Sequence, residues 1–139
     1  MGLDPQGHIM AAAGVMAELP GFEIVEGRAE FRPVGSATLH EAIQSMKSAI
    51  ILARERRAAK LLAVMTGLAG YKPPRIGMRY FLANELAATA GGALRVALVT
   101  RPEMIDPWKF GVTAAANAGL IAEVFVREDE ALAWLRGQD

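Results

Sequence analysis

Cysteine is absent from the 139 residues, which excludes disulfides, thiolate catalysis and cysteine-ligated metal sites and agrees with a cytosolic setting. Histidine is nearly as scarce. His8 and His40 stand apart with no acid or nucleophile near them in sequence, and two histidines make a poor metal site. Net charge is also missing: 15 Lys and Arg cancel 15 Asp and Glu, so no overall field draws nucleic acid or an anionic membrane surface, and any electrostatic site must be local. Long apolar runs are lacking too. None approaches the ~18 residues that span a bilayer. The run at 9–17 follows Asp4 rather than a basic lead-in and is stopped by Glu18, unlike a secretory leader, and Gln6 stands where a myristoylation signal needs Ser or Thr. A cytoplasmic protein without a transmembrane segment is the expectation.

The sequence patterns that announce a reaction are missing as well. Residues 67–70 read G-x-x-G without the Gly-Lys-Ser/Thr of a phosphate-binding loop, and no G-x-G-x-x-G follows a strand, so these are turn glycines. Glu85 and Asp106 have no carboxylate partner at helical spacing, which leaves general acid/base catalysis little to build on. The reading is no enzyme, no cofactor and no metal.

What is present is a fold. Hydrophobic residues make up 53% of the chain, enough for one domain around one core at this length. The stretch KLLAVMTGLAGYKPPRIGMRY at 60–80 organises it. Residues 61–65 are apolar on both faces, as in a strand covered by helices on each side, and the run is too short for an ordinary helix. Residues 1–21 form an N-terminal appendage ended by Pro20-Gly21, and 22–139 form the domain. Phe22, Ile24, Ala29 and Phe31 alternate with polar residues around Glu26-Gly27, an antiparallel hairpin at a sheet edge. Thr38 and Glu41 make a capping box for a helix whose Leu39, Ala42, Ile43, Met46, Ala49, Ile50 and Ala53 share a face. Arg54, Arg56, Arg57 and Lys60 at its end complement the helix dipole, a solvated terminus rather than a nucleic-acid patch. A helix over 76–90, a strand over 94–100, a helix from Asp106 to Ala118, a strand over 124–126 and a last helix with Ala131, Leu132 and Leu135 inward complete the chain. Strands separated by helices call for a mostly parallel sheet with right-handed crossovers.

Ligands of open α/β sheets sit beyond the carboxyl ends of the strands. Those ends carry Thr66, Lys72, Arg75, Arg79, Thr100 and Arg101, with Arg127 after the last strand. Cations at a helix start oppose its dipole, so Arg75 and Arg79 hint at an anionic ligand; the competing reading pairs these cations with Glu85, Glu103 or Glu128. Met65, Met78, Phe81 and Trp108 are candidate lining for an apolar pocket, or ordinary core. Three aliphatics in a row, Ile50-Ile51-Leu52, cannot all face one core, and the appendage adds Ile9, Met10 and Met16, which together point to a homodimer.

The hairpin, TLHEAI, KLLAVMTGL, the ALRVALVTRPEMIDPWKFGVTAAANAG segment and the ending AEVFVREDEALAWL resemble the STAS-like, SpoIIAA-like bacterial proteins over residues 22–136. The resemblance implies a single α/β domain: a mixed, mostly parallel five-stranded sheet with an N-terminal antiparallel hairpin and about four flanking helices, related in shape to CRAL-TRIO lipid-transfer domains. It also implies a regulatory role through a protein partner, the alternative being a small anionic or apolar ligand. In anti-sigma antagonists a Ser or Thr in the turn after the central strand accepts phosphate. Here that turn is Pro73-Pro74-Arg75-Ile76-Gly77, without a hydroxyl, and Thr66, ending a buried strand, is the only Ser or Thr between Lys60 and Ala88. The expectation is therefore a loop that is not itself phosphorylated and a weak anion site at Lys72, Arg75 and Arg101.

Overall fold

The computed structural model describes residues 19–72, 75, 84–92, 94–105, 116 and 119–137. Glu26 and Gly27 both adopt positive φ, 51° and 84°, the two-residue turn whose twist suits a tight hairpin. It joins β1 (Phe22–Val25) to β2 (Arg28–Phe31), pairing Phe22 with Phe31 and Val25 with Arg28. From β2 onward the pairing is parallel: β2 with β4 (Lys60–Val64), β4 with β6 (Arg95–Val99), and β6 with β7 (Ile121–Phe125). The mixed five-stranded sheet runs β1-β2-β4-β6-β7. Two short strands, β3 (Gly35–Ser36) and β5 (Leu68–Ala69), form a separate parallel pair beside it.

The parallel strands are added in one direction, and crossovers of one hand then place their helices on one face. On that face α1 (Leu39–Glu55) and the helical residues 84–90 (α2) close over Leu61, Ala63, Met65, Val96, Leu98 and Val124. With a side-chain period of two, the alternate residues Leu62, Val64, Ala97 and Val99 point the other way. There α3 (Glu128–Arg136) covers them with Ala131 and Leu135, and Trp134 tilts against Phe125 with ring centroids 6.0 Å apart. The two-sided apolar stretch at 61–65 is therefore the centre of a three-layer molecule. Leu19, grouped with the appendage by sequence, packs against the main core.

A polar chain ties α3 to the hairpin. Arg28 Nε donates to Glu30 Oε2 at 2.7 Å, and Arg32 donates both to Glu30 and to Glu128 at the start of α3. Glu30 is 4% exposed. Burial alone would raise its pKa, but the hydrogen bonds and charges of Arg32 and Arg28 outweigh that and hold the carboxyl below its ordinary value.

Several expectations need correction. The last strand is Ile121–Phe125 rather than 124–126, because Glu123 and Ala122 hid its beginning behind weak β propensity. Val126 lies beyond it, 47% exposed. Ile50 and Leu52 are both 1% exposed, which leaves only Ile51, at 39%, of the aliphatic triplet at the surface. That run is not an apolar patch, and the argument for a homodimer from it falls. Of about four helices expected, three are described; the one from Asp106 to Ala118 lies, apart from Ala116, outside the described residues. Among the described residues no helix is long and apolar enough to cross a membrane.

Candidate functional site

The rim beyond the carboxyl ends of the strands is built by ladder bonds that continue past the strands. Met65 N–H donates to Val99 O at 2.9 Å and Thr100 N–H to Phe125 O at 2.9 Å. Leu68 N–H then donates back to Met65 O at 3.1 Å, closing a turn with Thr66 and Gly67 at its tip. This loop is fastened to residues 33–37: Gly35 N–H donates to Gly67 O at 3.1 Å and Ala37 N–H to Ala69 O at 2.8 Å. A Cβ at Gly67 would lie 2.7 Å from Pro33 O, and Gly70 holds a φ of +102°. Close backbone approach therefore accounts for both glycines.

The fastened loop delivers Tyr71 under Arg101. The Tyr71 side chain is 8% exposed, and the Arg101 guanidinium carbon stands 5.4 Å from its ring centroid, within cation–π range. Burial pushes the phenol pKa up, against a smaller lowering by Arg101, so Tyr71 stays neutral at physiological pH. Arg101 Nε is shielded from water and has no hydrogen-bond partner among the described residues. It lies 3.4 Å from Glu103 Oε2, close enough for attraction but too long and misaligned for a hydrogen bond. Glu103 sits on a short 3-10 turn, Pro102–Met104, which fully buried Met104 anchors in the core.

Of the residues singled out by sequence, Thr66, Lys72 and Arg75 are exposed and Arg101 is half-buried, while Arg79 lies outside the described residues. Tyr71 links two of them, since it touches Arg101 and directly precedes Lys72. Thr100 drops out: it is 1% exposed, because the ladder carries β6 one residue further and turns that side chain inward. Thr66 was expected to be shielded as the end of a buried strand, yet it stands in solvent, since β4 stops at Val64. Arg127 is taken by Asp129 through bonds of 3.0 and 2.6 Å. Glu85 serves Lys47 at 2.9 Å and Glu128 serves Arg32, so of the three acids proposed as counter-charges only Glu103 reaches the rim. Met65, offered as pocket lining, is 4% exposed within the main core; Met78, Phe81 and Trp108 lie outside the described residues. Sequence reasoning missed Tyr71 as part of the site, although it is the only aromatic between Lys60 and Arg79.

His40 is exposed in the first turn of α1. Among the described residues no three His, Cys, Asp or Glu gather to hold a metal ion. The arrangement offers a cation with a shielded N–H, backed by the aromatic face of Tyr71, which exposed Lys72 follows in the chain. It can hold an oxyanion. No protein-family model, curated protein or solved structure matches this chain.

Proposed function

We propose that the chain is a non-enzymatic regulatory module of the STAS-like type that binds another protein, receiving an acidic group of that partner at the rim of Arg101, Lys72 and Arg75. The observation that carries this reading is the state of Arg101. Its guanidinium is stacked on Tyr71 at 5.4 Å, while its shielded Nε lies 3.4 Å from Glu103 without a hydrogen bond. Glu103 is 62% exposed, and a pair so open to solvent holds its cation by under about 1 kcal/mol. An incoming carboxylate or phosphate with good geometry and shielding gains about 1.5–3 kcal/mol per charge-assisted bond, so it displaces Glu103. Catalysis is not part of this reading.

A photo-crosslinking residue in place of Lys72, expressed in the native cells, tests it. A discrete protein adduct is expected, and Arg101→Gln in the same chain should abolish it. An adduct retained with Arg101→Gln, or an identical adduct from a crosslinker at exposed Arg56, would overturn the reading.

A further inference from the structure

Among the large apolar side chains that stand open to solvent, Ile24, Ile51 and Ile121 belong to β1, α1 and β7, whose pairing or period sets where each side chain points. Val34, 83% exposed, and Val126, 47% exposed, lie in loops, where no ladder or helical period calls for a branched apolar residue. Both stand at the carboxyl ends of parallel strands, the end that carries Arg101. The bonds from Met65 N–H to Val99 O and from Thr100 N–H to Phe125 O carry the register of β4, β6 and β7 one step further, which sets Met65, Thr100 and Val126 abreast. Val126 is thus one strand over from the residue that precedes Arg101. On the other side Val34 lies against the loop tip: its Cγ1 is 3.0 Å from the place a Cβ on Gly67 would take, and Gly35 N–H donates to Gly67 O at 3.1 Å. Across the sheet the rim therefore reads Val126, Arg101, Thr66, Val34. From β7 through β6 and β4 to β2 there are three inter-strand steps, about 15 Å in all.

We propose that this strip is the docking surface for an extended segment of a partner protein in which one Asp or Glu is flanked, two residues away on each side, by apolar side chains. The inference rests on the reading of the rim given above and names the feature that the rim recognises. An extended chain sets alternate side chains on one face about 6.6 Å apart, so the first, third and fifth residues span about 13 Å, close to the width from Val126 to Val34. The middle carboxylate then meets Arg101, whose charge it complements, and the outer pair seat on the two valines. The apolar flanks also explain how the acid outcompetes Glu103. That residue holds Arg101 in open solvent, being 62% exposed, whereas apolar groups seated on both sides keep water from the new pair and leave its attraction less screened. Val34 is fixed beforehand by the fastening of residues 33–37 to the loop, so its contact orders little additional chain.

A random peptide library displayed on phage, selected against the purified protein, serves as the probe. The expected consensus is apolar-x-acidic-x-apolar. Val34→Ser and Val126→Ser should each erase one apolar preference while leaving the acidic one, and each should weaken a synthetic consensus peptide about fivefold with an unchanged melting temperature, since both side chains are exposed. Arg101→Gln should erase the acidic preference, and Ile51→Ser, on the exposed side of α1, should change nothing. A consensus with an acid but without flanking apolar positions overturns this inference and leaves the reading of the rim standing. An apolar consensus without an acid overturns both. No consensus, or one that the two valine variants leave intact or that Ile51→Ser removes, overturns the inference, and the crosslink from position 72 then decides the reading of the rim separately.

Discussion

A carboxylate buried as deeply as Glu30, with 4% of its surface exposed, persists only where cations meet it. Arg28 and Arg32 do so, and Arg32 passes the tie on to Glu128 of α3. The same chemistry at Arg127 and Asp129 counts for far less, because both side chains are more than 60% exposed, at 68% and 64%, and water screens the pair. Glu30→Gln should therefore destabilise the protein by about 3 kcal/mol at pH 7, since it leaves two half-shielded guanidiniums short of a counter-charge. The sign of the pH dependence follows from the depressed pKa of Glu30. Its contribution is complete above the unfolded value of about 4.3 and is lost as pH falls through the lower folded value. Urea unfolding of both proteins at pH 7 and near pH 3 should show the gap between them closing in acid. A gap of equal size at both pH values would contradict this account.

At the scale of the element, α1 shows how differently its two ends are secured. Its start is reciprocal: Thr38 Oγ1 accepts from Glu41 N–H at 3.1 Å, and Glu41 Oε1 accepts from Thr38 N–H at 2.9 Å. Its end is a left-handed closure, in which Ala58 N–H donates to Ala53 O at 2.9 Å and Arg57 N–H to Arg54 O at 3.0 Å. Glycine normally occupies the left-handed position of this closure, but here it is Arg57, with a φ of 60°. An L side chain costs energy in that conformation. Arg57→Gly should accordingly raise stability by about 1 kcal/mol, read as a higher midpoint in chemical unfolding with an unchanged slope. A lower midpoint would mean that the exposed Arg57 side chain makes contacts worth more than the strain.

At the scale of the molecule, the order β1-β2-β4-β6-β7 ranks the strands by support. β4 and β6 have a neighbour on both sides and a helix over each face, whereas β1 is joined only to β2 and exposes Ile24 to 40%. Opening free energies follow such differences. Hydrogen exchange should be slowest at residues 61–64 and 96–99 and clearly faster at 22–25. Equal protection of β1 and β4 would show that the hairpin opens only with the whole sheet.

How much was legible in the sequence depended on how local the determining physics is. The cap at Thr38 and the Glu26-Gly27 hairpin rest on contacts within a few residues, and the two-sided strand at 61–65 shows in its own unbroken apolar run, so each was readable from composition and period. Lys72, Arg75 and Arg101 were singled out as candidates because the rule about carboxyl ends of parallel strands needs only the order of elements. Thr100 was offered as a rim candidate because it ends a strand, yet its side chain is buried, where one more ladder bond, made to Phe125, continues the sheet past β6. Tyr71 stayed hidden because a loop aromatic has no partner until the pairing of residues 35–36 with 68–69 folds it beneath Arg101. A cavity below the hairpin turn draws on three segments, at 26–28, 59–60 and 132–136. The sequence by itself determined the elements and the apolar faces they must bury, because propensity and periodicity act along the chain. Only the tertiary structure decided the strand order, the partner of each charge and the place of each cavity, because those arise where distant segments meet.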